Sequence, residues 1–307
     1  MGETRTVDYV VVGGGSAGCV LAARLSEDPA AQVALLEAGP PDSSVLIHCP
    51  AGLALLAKSG AANWNFATEP QPGLNGRRGY QPRGKVLGGS SSVNAMIYAR
   101  GHASDYDGWA REGNAGWSFA DVLPYFRKSE RNERGADAFH GGDGPLNVMD
   151  LRSPNRFGPV FVEAARQAGY PENRDFNGPT QEGVGLYQVT HKDGERFSAA
   201  KAYLAPNRHR PNLQVITGAH ATRVLLEGRR AVGVAYLQDG GAREIRARRE
   251  VLLSAGALLS PQLLMLSGIG PAAHLQELGV PLAHDLPGVG GNCTTTRTWC
   301  RWWTRRT

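Results

Sequence analysis

An apolar run that ends on glycines and restarts as a helix constrains this chain more than any other feature. Residues 7–12 (Val-Asp-Tyr-Val-Val-Val) show no polar alternation after Asp8, the pattern of a strand buried on both faces. Gly13-x-Gly15-x-x-Gly18 follows at once, and helical spacing of apolar residues then runs up to Pro29. Residues 32–36 (Gln-Val-Ala-Leu-Leu) read as a second buried strand, closed by Glu37 nineteen residues after Gly18. Such a β-α-β unit predicts an α/β fold with a right-handed crossover. Gly13 permits the tight turn, Gly15 lets the backbone approach a pyrophosphate, and Gly18 allows helix and strand to pack closely. Ser16 and Ala17 open a helix whose free amides attract the anion, and Glu37, followed by Ala38, can accept hydrogen bonds from a ribose hydroxyl pair. An acid at that point disfavours a 2′-phosphate, which leaves FAD and NAD as candidate cofactors.

Further along, residues 38–82 are rich in Gly and Pro and weakly periodic, so loops and short helices are expected there. Helices are expected at 104–112, 118–130 and 157–168, and a strand within 144–150. A second β-rich block follows at 213–217, 221–228, 231–238 and 249–256, then a helix at 260–266. There is no internal repeat and no low-complexity linker.

Composition excludes several classes. With 307 residues the prior is about two domains, and 41% hydrophobic residues can build a packed core. No apolar stretch is long enough for a membrane helix, and a strand starting at Val7 leaves no room for a signal peptide, so a cytoplasmic location is expected. Met1-Gly2 with Thr6 fits the myristoylation pattern, but no second membrane signal accompanies it and the match is read as chance. Four cysteines rule out a disulfide scaffold and suit a reducing compartment. Four of the five net positive charges belong to the last fifteen residues, which hold Arg297, Arg301, Arg305 and Arg306 and no acid. Elsewhere 29 of the 33 basic residues balance 28 acidic ones, so no nucleic-acid partner is expected.

Residues 84–107 (GKVLGGSSSVNAMIYARGHASDYD) closely resemble the first signature of the glucose–methanol–choline (GMC) flavoprotein oxidoreductases. Gly256-Ala257, Ser260-Pro261 and Ser267-Gly268-Ile269-Gly270 look like the second. Trp64-Asn65-Phe66, Arg196-Phe197-Ser198 and Arg230-Ala231-Val232-Gly233-Val234 also stand in family order, and the resemblance runs from residue 7 to about 292. It favours FAD over NAD. It implies a Rossmann-like FAD-binding domain, in two parts at 1–150 and 201–292, and a discontinuous substrate-binding domain represented here by 151–200 and incomplete. Gly89 and its neighbour Gly88 let the backbone pass close to a ring or phosphate; Ser90, Ser91 and Ser92 either donate hydroxyls there or cap a helix starting at 93–99. The resemblance further implies that Asn94, Ala95, Met96 and Ile97 lie along the flavin with Val86 nearby. It also implies that Val224 contacts the adenine end through its backbone, and that Trp64 and Ala255 belong to the cofactor site.

Members with covalently attached flavin carry a histidine shortly before the Gly-Gly core. Gln81 stands there and cannot make that bond, so dissociable FAD is expected. The branch most similar is the choline dehydrogenase-like one, with Asp105-Tyr106-Asp107-x-Trp109. The activity it implies is oxidation of a small-molecule alcohol by hydride transfer to flavin N5, with either oxygen or a quinone-like carrier as the electron acceptor. His102 and His140 are possible acid–base groups, although His140 sits in a Gly-rich turn and reads more simply as a loop hydrogen-bonder. Cys293 and Cys300 lack the partners of a metal site.

After Gly290 the family continues through Asn292 to Leu-x-Asp-His, whereas this chain turns to Cys293 and an Arg- and Trp-rich tail over 293–307. Written in GC-rich codons, with one C added after the Asn292 codon, the tail reads Leu-His-Asp-His and then a plausible strand. Trp302-Trp303 has no codon freedom and gives a valine in that frame. A frameshift is therefore expected, and no residue here matches the family's catalytic His and its His or Asn partner. The alternative to an active enzyme is an FAD-binding remnant without turnover.

Overall fold

The computed structural model describes residues 5–291; the expected out-of-frame tail at 293–307 lies outside them. Contacts divide these residues into two units, one formed by 5–43, 54–93 and 199–291, the other by 44–53 and 94–198. The chain enters the second unit for 44–53 and again after Val93, and 94–198 bonds to itself: Tyr98 N–H to Gln188 O at 2.9 Å, and Met149 with Val189 in both directions.

The first unit is a mixed six-stranded sheet. Its strands are β1 (Arg5–Val12), β2 (Val33–Leu36), β3 (Leu213–Ile216), β4 (His220–Glu227), β5 (Arg230–Gln238) and β6 (Gly241–Leu253), in the order β4-β5-β6-β1-β2-β3. Strands β6, β1, β2 and β3 run parallel; β4, β5 and the first half of β6 form an antiparallel meander. Val11 pairs with Leu35 and Val12 with Leu36, so both strands stop level with one another. Apolar residues cover both faces here, as a parallel sheet requires. On one face Val10, Val12, Ala34 and Leu36 join Val234, Ile245 and Ala247 in the core. Helix α1 (Ser16–Leu25) packs through the small side chains of Gly18, Cys19, Ala22 and Ala23, all buried. A Cβ at Gly18 would stand 1.9 Å from the Gly13 carbonyl oxygen, which only glycine avoids. Each fully buried Val or Leu contributes about 1.5–3 kcal/mol by leaving water.

Strand β6 starts eight residues earlier than its apolar end suggests. Its first half alternates Arg243, Glu244, Arg246 and Arg248 with buried Ile245 and Ala247, a half-exposed antiparallel pattern. After β6 comes helix α2 (Gly256–Leu266), four residues longer at its start than its periodicity shows, with Gly256 at φ +83°.

The second unit has helices at Ala103–Arg111, Phe119–Ser129 and Phe157–Gln167 and a short parallel pair, Glu130–Asn132 with Leu146–Val148. His102 and Ser118 cap the first two helices through reciprocal capping boxes with Asp105 and Asp121. No helix starts at 93–99; Met96 instead takes φ +61°. Among the described residues, no helix is long and apolar enough to cross a membrane.

Candidate cofactor site

The order of the parallel strands reverses at β1: β2 and β3 lie on one side and β6 on the other. A crevice opens at the carboxyl ends of strands at such a point. Here it is a cavity of about 660 Å³ whose lining includes Val12, Leu36 and Leu253, the last residues of β1, β2 and β6. Gly13 turns away from β1 at φ +99°, where a Cβ would meet the Ser254 carbonyl oxygen at 2.6 Å. Gly15 is the N-cap of α1 in an extended conformation, and no side chain caps that end. The amides of the first turn are therefore left for a ligand. Ser16 and Ala17, which carry two of them, line the cavity.

Glu37 closes the loop from the other side. It is 5% exposed; Oε2 accepts the Gly14 N–H at 2.8 Å and Oε1 the Gly39 N–H at 2.8 Å. Burial raises its pKa above the ordinary carboxylate value, against the pull of those two N–H groups and of Lys85. The second glycine-rich segment packs against the first, since the Gly88 N–H donates to the Gly14 carbonyl at 2.7 Å. All three serines bond to backbone. Ser90 Oγ accepts the Gly84 N–H at 3.1 Å, Ser91 Oγ donates to Gly88 O at 2.6 Å, and Ser92 Oγ to Leu87 O at 2.7 Å.

Trp64 forms a wall. Lys85 Nζ stands 4.5 Å from its ring centroid, Phe66 stacks on it at 5.7 Å, and His220 meets it edge-on at 5.4 Å. Burial, and then Lys85, lower the His220 pKa below its usual value, so the ring is neutral at pH 7. Ala255 begins the last wall, its N–H bonded to Ser260 Oγ at 3.1 Å, and α2 continues it.

Of the residues singled out in the sequence, Gly13, Gly15, Ser16, Ala17, Glu37, Ala38, Trp64, Gly89, Ser90 and Ala255 line this one cavity. Gly18 lies behind it in the helix–strand contact, and Val86 is fully buried outside its lining. Val224 does not line it either, and its N–H already donates to Ser267 Oγ at 2.8 Å. Asn94, Ala95, Met96 and Ile97 fall in the second unit. There Asn94 Oδ1 accepts the Met96 N–H at 3.1 Å and one arm of Arg196 at 2.9 Å. Sequence reasoning missed Arg83, His220 and most of α2. Arg83 could have been found as one of two cations, with Lys85, between Gln81 and the glycine core; His220, at a strand start, carries no motif. His140 is buried in the second unit and does not line this cavity.

The cavity fits a dinucleotide: uncapped helix amides beside a glycine with room around it, and a carboxylate held at the end of β2. Comparison with known proteins agrees. The family model described as GMC oxidoreductase matches residues 7–296. An alcohol dehydrogenase [acceptor] of Pseudomonas putida is 53% identical over 288 residues, 93% of this chain and 52% of that protein. A mitochondrial choline dehydrogenase of Mus musculus is 52% identical over 291 residues, 92% of this chain and 49% of that one. The solved structure of a pyridoxine 4-oxidase from Mesorbium loti superimposes with a TM-score of 0.87 at 39% identity, covering 92% of this chain and 55% of the oxidase. The chain thus spans about half the length of these relatives. With the switch-point cavity and both glycine-rich segments in place, it belongs to the GMC oxidoreductase family.

Proposed function

We propose that the first unit holds FAD without a covalent bond, and that the chain is the cofactor-binding part of an oxidoreductase acting on the CH–OH group of a small alcohol, as in the choline dehydrogenase-like branch. The observation that carries this is the start of α1, which opens uncapped on the cavity beside Gly15. Its amides would take the pyrophosphate. Glu37 spends one acceptor position per oxygen on Gly14 and Gly39 and keeps others for ribose hydroxyls. Trp64 and neutral His220 give one side of the cavity an aromatic surface. When bound, the flavin would supply the hydride acceptor. Asn94, Ala95, Met96 and Ile97, with Val86 and Val224, remain proposed flavin and adenine contacts on the strength of the family resemblance. Gln81 in place of histidine supports a dissociable cofactor. The group that takes the hydroxyl proton is proposed to belong to the half of the relatives this chain does not span, as are the residues that choose the substrate.

Two measurements on the purified chain test this. Titrating FAD against its own fluorescence tests the site, with quenching saturating at one FAD per chain; an absence of quenching refutes the proposal. Acid precipitation should release all flavin into the supernatant. Turnover of choline or a simple primary alcohol with an artificial electron acceptor then separates an enzyme from the second reading, a flavin-binding remnant. That reading rests on the missing match to the family's catalytic histidine, and rates clearly above the no-enzyme control would refute it.

A further inference from the structure

The second unit buries a set of charged side chains that the proposed reaction does not use. Glu130, on the strand Glu130–Asn132, is 0% exposed; its Oε2 accepts the Arg100 guanidinium at 2.8 Å and the Gly141 N–H at 3.1 Å. The His140 ring lies between two carboxylates. Its Nδ1 is 3.0 Å from Glu130 Oε1 and 3.1 Å from Oε2, and its Nε2 is 2.9 Å from Asp175 Oδ2. At 4% exposure the ring has no access to a substrate.

A neutral imidazole has one N–H and one lone pair. With the proton on Nε2, the Nδ1 lone pair would face both oxygens of a buried carboxylate; with it on Nδ1, the other lone pair would face Asp175. Asn132 offers no way out. Its amide nitrogen has two hydrogens, and Glu130 Oε1 and Gln188 Oε1, each at 3.0 Å, take them. Gln188 Nε2 returns a bond to Asn132 Oδ1 at 3.1 Å, which fixes both amides. Asn132 Nδ2 also stands 3.0 Å from His140 Nδ1, and both nitrogens aim their hydrogens at Glu130 Oε1. Other charges near the ring are Asp137, which accepts the His140 backbone N–H at 2.7 Å, Arg127 acting on Asp137 from the helix Phe119–Ser129, and Arg100 beyond Glu130.

We propose that His140 is a structural imidazolium, a proton-operated latch that ties the 137–141 loop to the strand Glu130–Asn132 and to the 173–177 loop. Glu130 first, then Asp175, raise its pKa above the ordinary 6.5 against the opposing effect of burial. A raised pKa on a cation means the latch contributes fully below the unfolded value and is lost as pH rises through the folded one. When the proton leaves, Glu130, Asp175 and Asp137 face Arg100 and Arg127 alone, and the 137–141 loop loosens.

Ring nitrogen–proton NMR of the full chain tests this, with His140 assigned by its absence in His140→Gln. Both His140 nitrogens should carry protons at pH 7 and titrate above 6.5. Asp175→Asn should move that titration to lower pH. Proteolytic cleavage within 134–145 should accelerate severalfold as pH rises through the His140 titration seen by NMR in the wild type, and lose that pH step in His140→Gln. A neutral ring at pH 7, or a titration that Asp175→Asn leaves in place, overturns the proposal. Should His140→Gln fail to fold, Asp175→Asn, whose side chain is 30% exposed, carries the test alone.

Discussion

Gly15 and Gly18 stand three residues apart in one motif, yet the structure gives them different tasks. A Cβ at Gly18 would sit 1.9 Å from a backbone oxygen; a Cβ at Gly15 would find only the Gly89 Cα, at 3.9 Å. Gly15 has φ −79° and ψ −164°, which alanine adopts without strain. As an N-cap, alanine is worse than glycine by roughly 0.5–1 kcal/mol, while the stiffer unfolded chain returns about 0.4–1 kcal/mol. Gly15→Ala should therefore fold with a melting temperature within about 3 °C of the wild type. The cofactor would feel the methyl group. If it holds the pyrophosphate off even one amide, a charge-assisted hydrogen bond of about 1.5–3 kcal/mol is lost, or roughly 10- to 150-fold in Kd. The assay is thermal unfolding without ligand, then FAD titration by fluorescence quenching, on Gly15→Ala and Gly18→Ala side by side. Gly18→Ala should fail in the first measurement and Gly15→Ala in the second. FAD binding by Gly15→Ala within about twofold of the wild type would place the pyrophosphate elsewhere; unfolding of Gly15→Ala would refute the reading of the space around it.

Other expectations follow from named contacts. Asp8 accepts Arg248 at 3.0 and 3.2 Å and the Gln32 N–H at 2.8 Å, and Arg248 first, then Gln32, hold its pKa at about 2. A depressed carboxylate pKa contributes stability above the unfolded value near 3.8 that is lost as pH falls through about 2. Asp8→Asn should lower the melting temperature at pH 7 by roughly 2–4 °C and flatten its acid limb. Burial pushes the Cys19 thiol up to about 12 and its Sγ bonds to the Gly14 carbonyl at 3.2 Å, whereas Cys49 is exposed. Maleimide at pH 8 should label Cys49 in the native chain and leave Cys19 untouched, as peptide mass spectrometry would show. Resequencing the coding DNA from codon 285 onward should reveal one base more than now read after the Asn292 codon, and a long frame beginning Leu-His-Asp-His; an unchanged sequence with nothing family-like downstream rules the frameshift out.

The parallel half of the sheet was legible because the physics that shapes it is local. Strands β1 and β2 are buried on both faces, so their apolar runs are uninterrupted, and the glycine motif between them marks a turn and a close contact that admit no other residue. Less legible was the first half of β6. Its exposed face carries Arg243, Arg246 and Arg248, and two small or apolar residues in a charged stretch make a weak period-two signal. Of the two roles open to the serines before residue 93, helix capping is not the one taken: Ser91 and Ser92 bond to the backbone of their own turn, and no helix follows. The change of unit at Val93 carries no compositional mark, since it is set by long-range pairings such as Tyr98 with Gln188.

The same distinction explains which parts of the site could be read. Residues whose role is to shape backbone, such as Gly13, Gly18 and Glu37, leave a motif because the requirement is met within one β-α-β unit. Residues that reach the cavity only through tertiary packing leave none. His220 arrives at the cavity by way of β4, roughly 180 residues after Glu37, and its neighbour Trp64 comes from a loop with no periodicity. Val224 lies further along β4, outside the lining and with its amide held by Ser267, whereas Ala219, His220 and Ala221 line the cavity at that strand's start. If the adenine end is read by backbone in this protein, His220 and Ala221 line the cavity for it, while the Ala219 N–H already donates to the Glu37 carbonyl at 2.8 Å. Replacing Val224 by isoleucine should then leave FAD affinity within about twofold, while a proline at Ala221, which removes an N–H, should weaken it by about tenfold. Equal FAD affinity in the two variants would remove the 219–221 segment from the site.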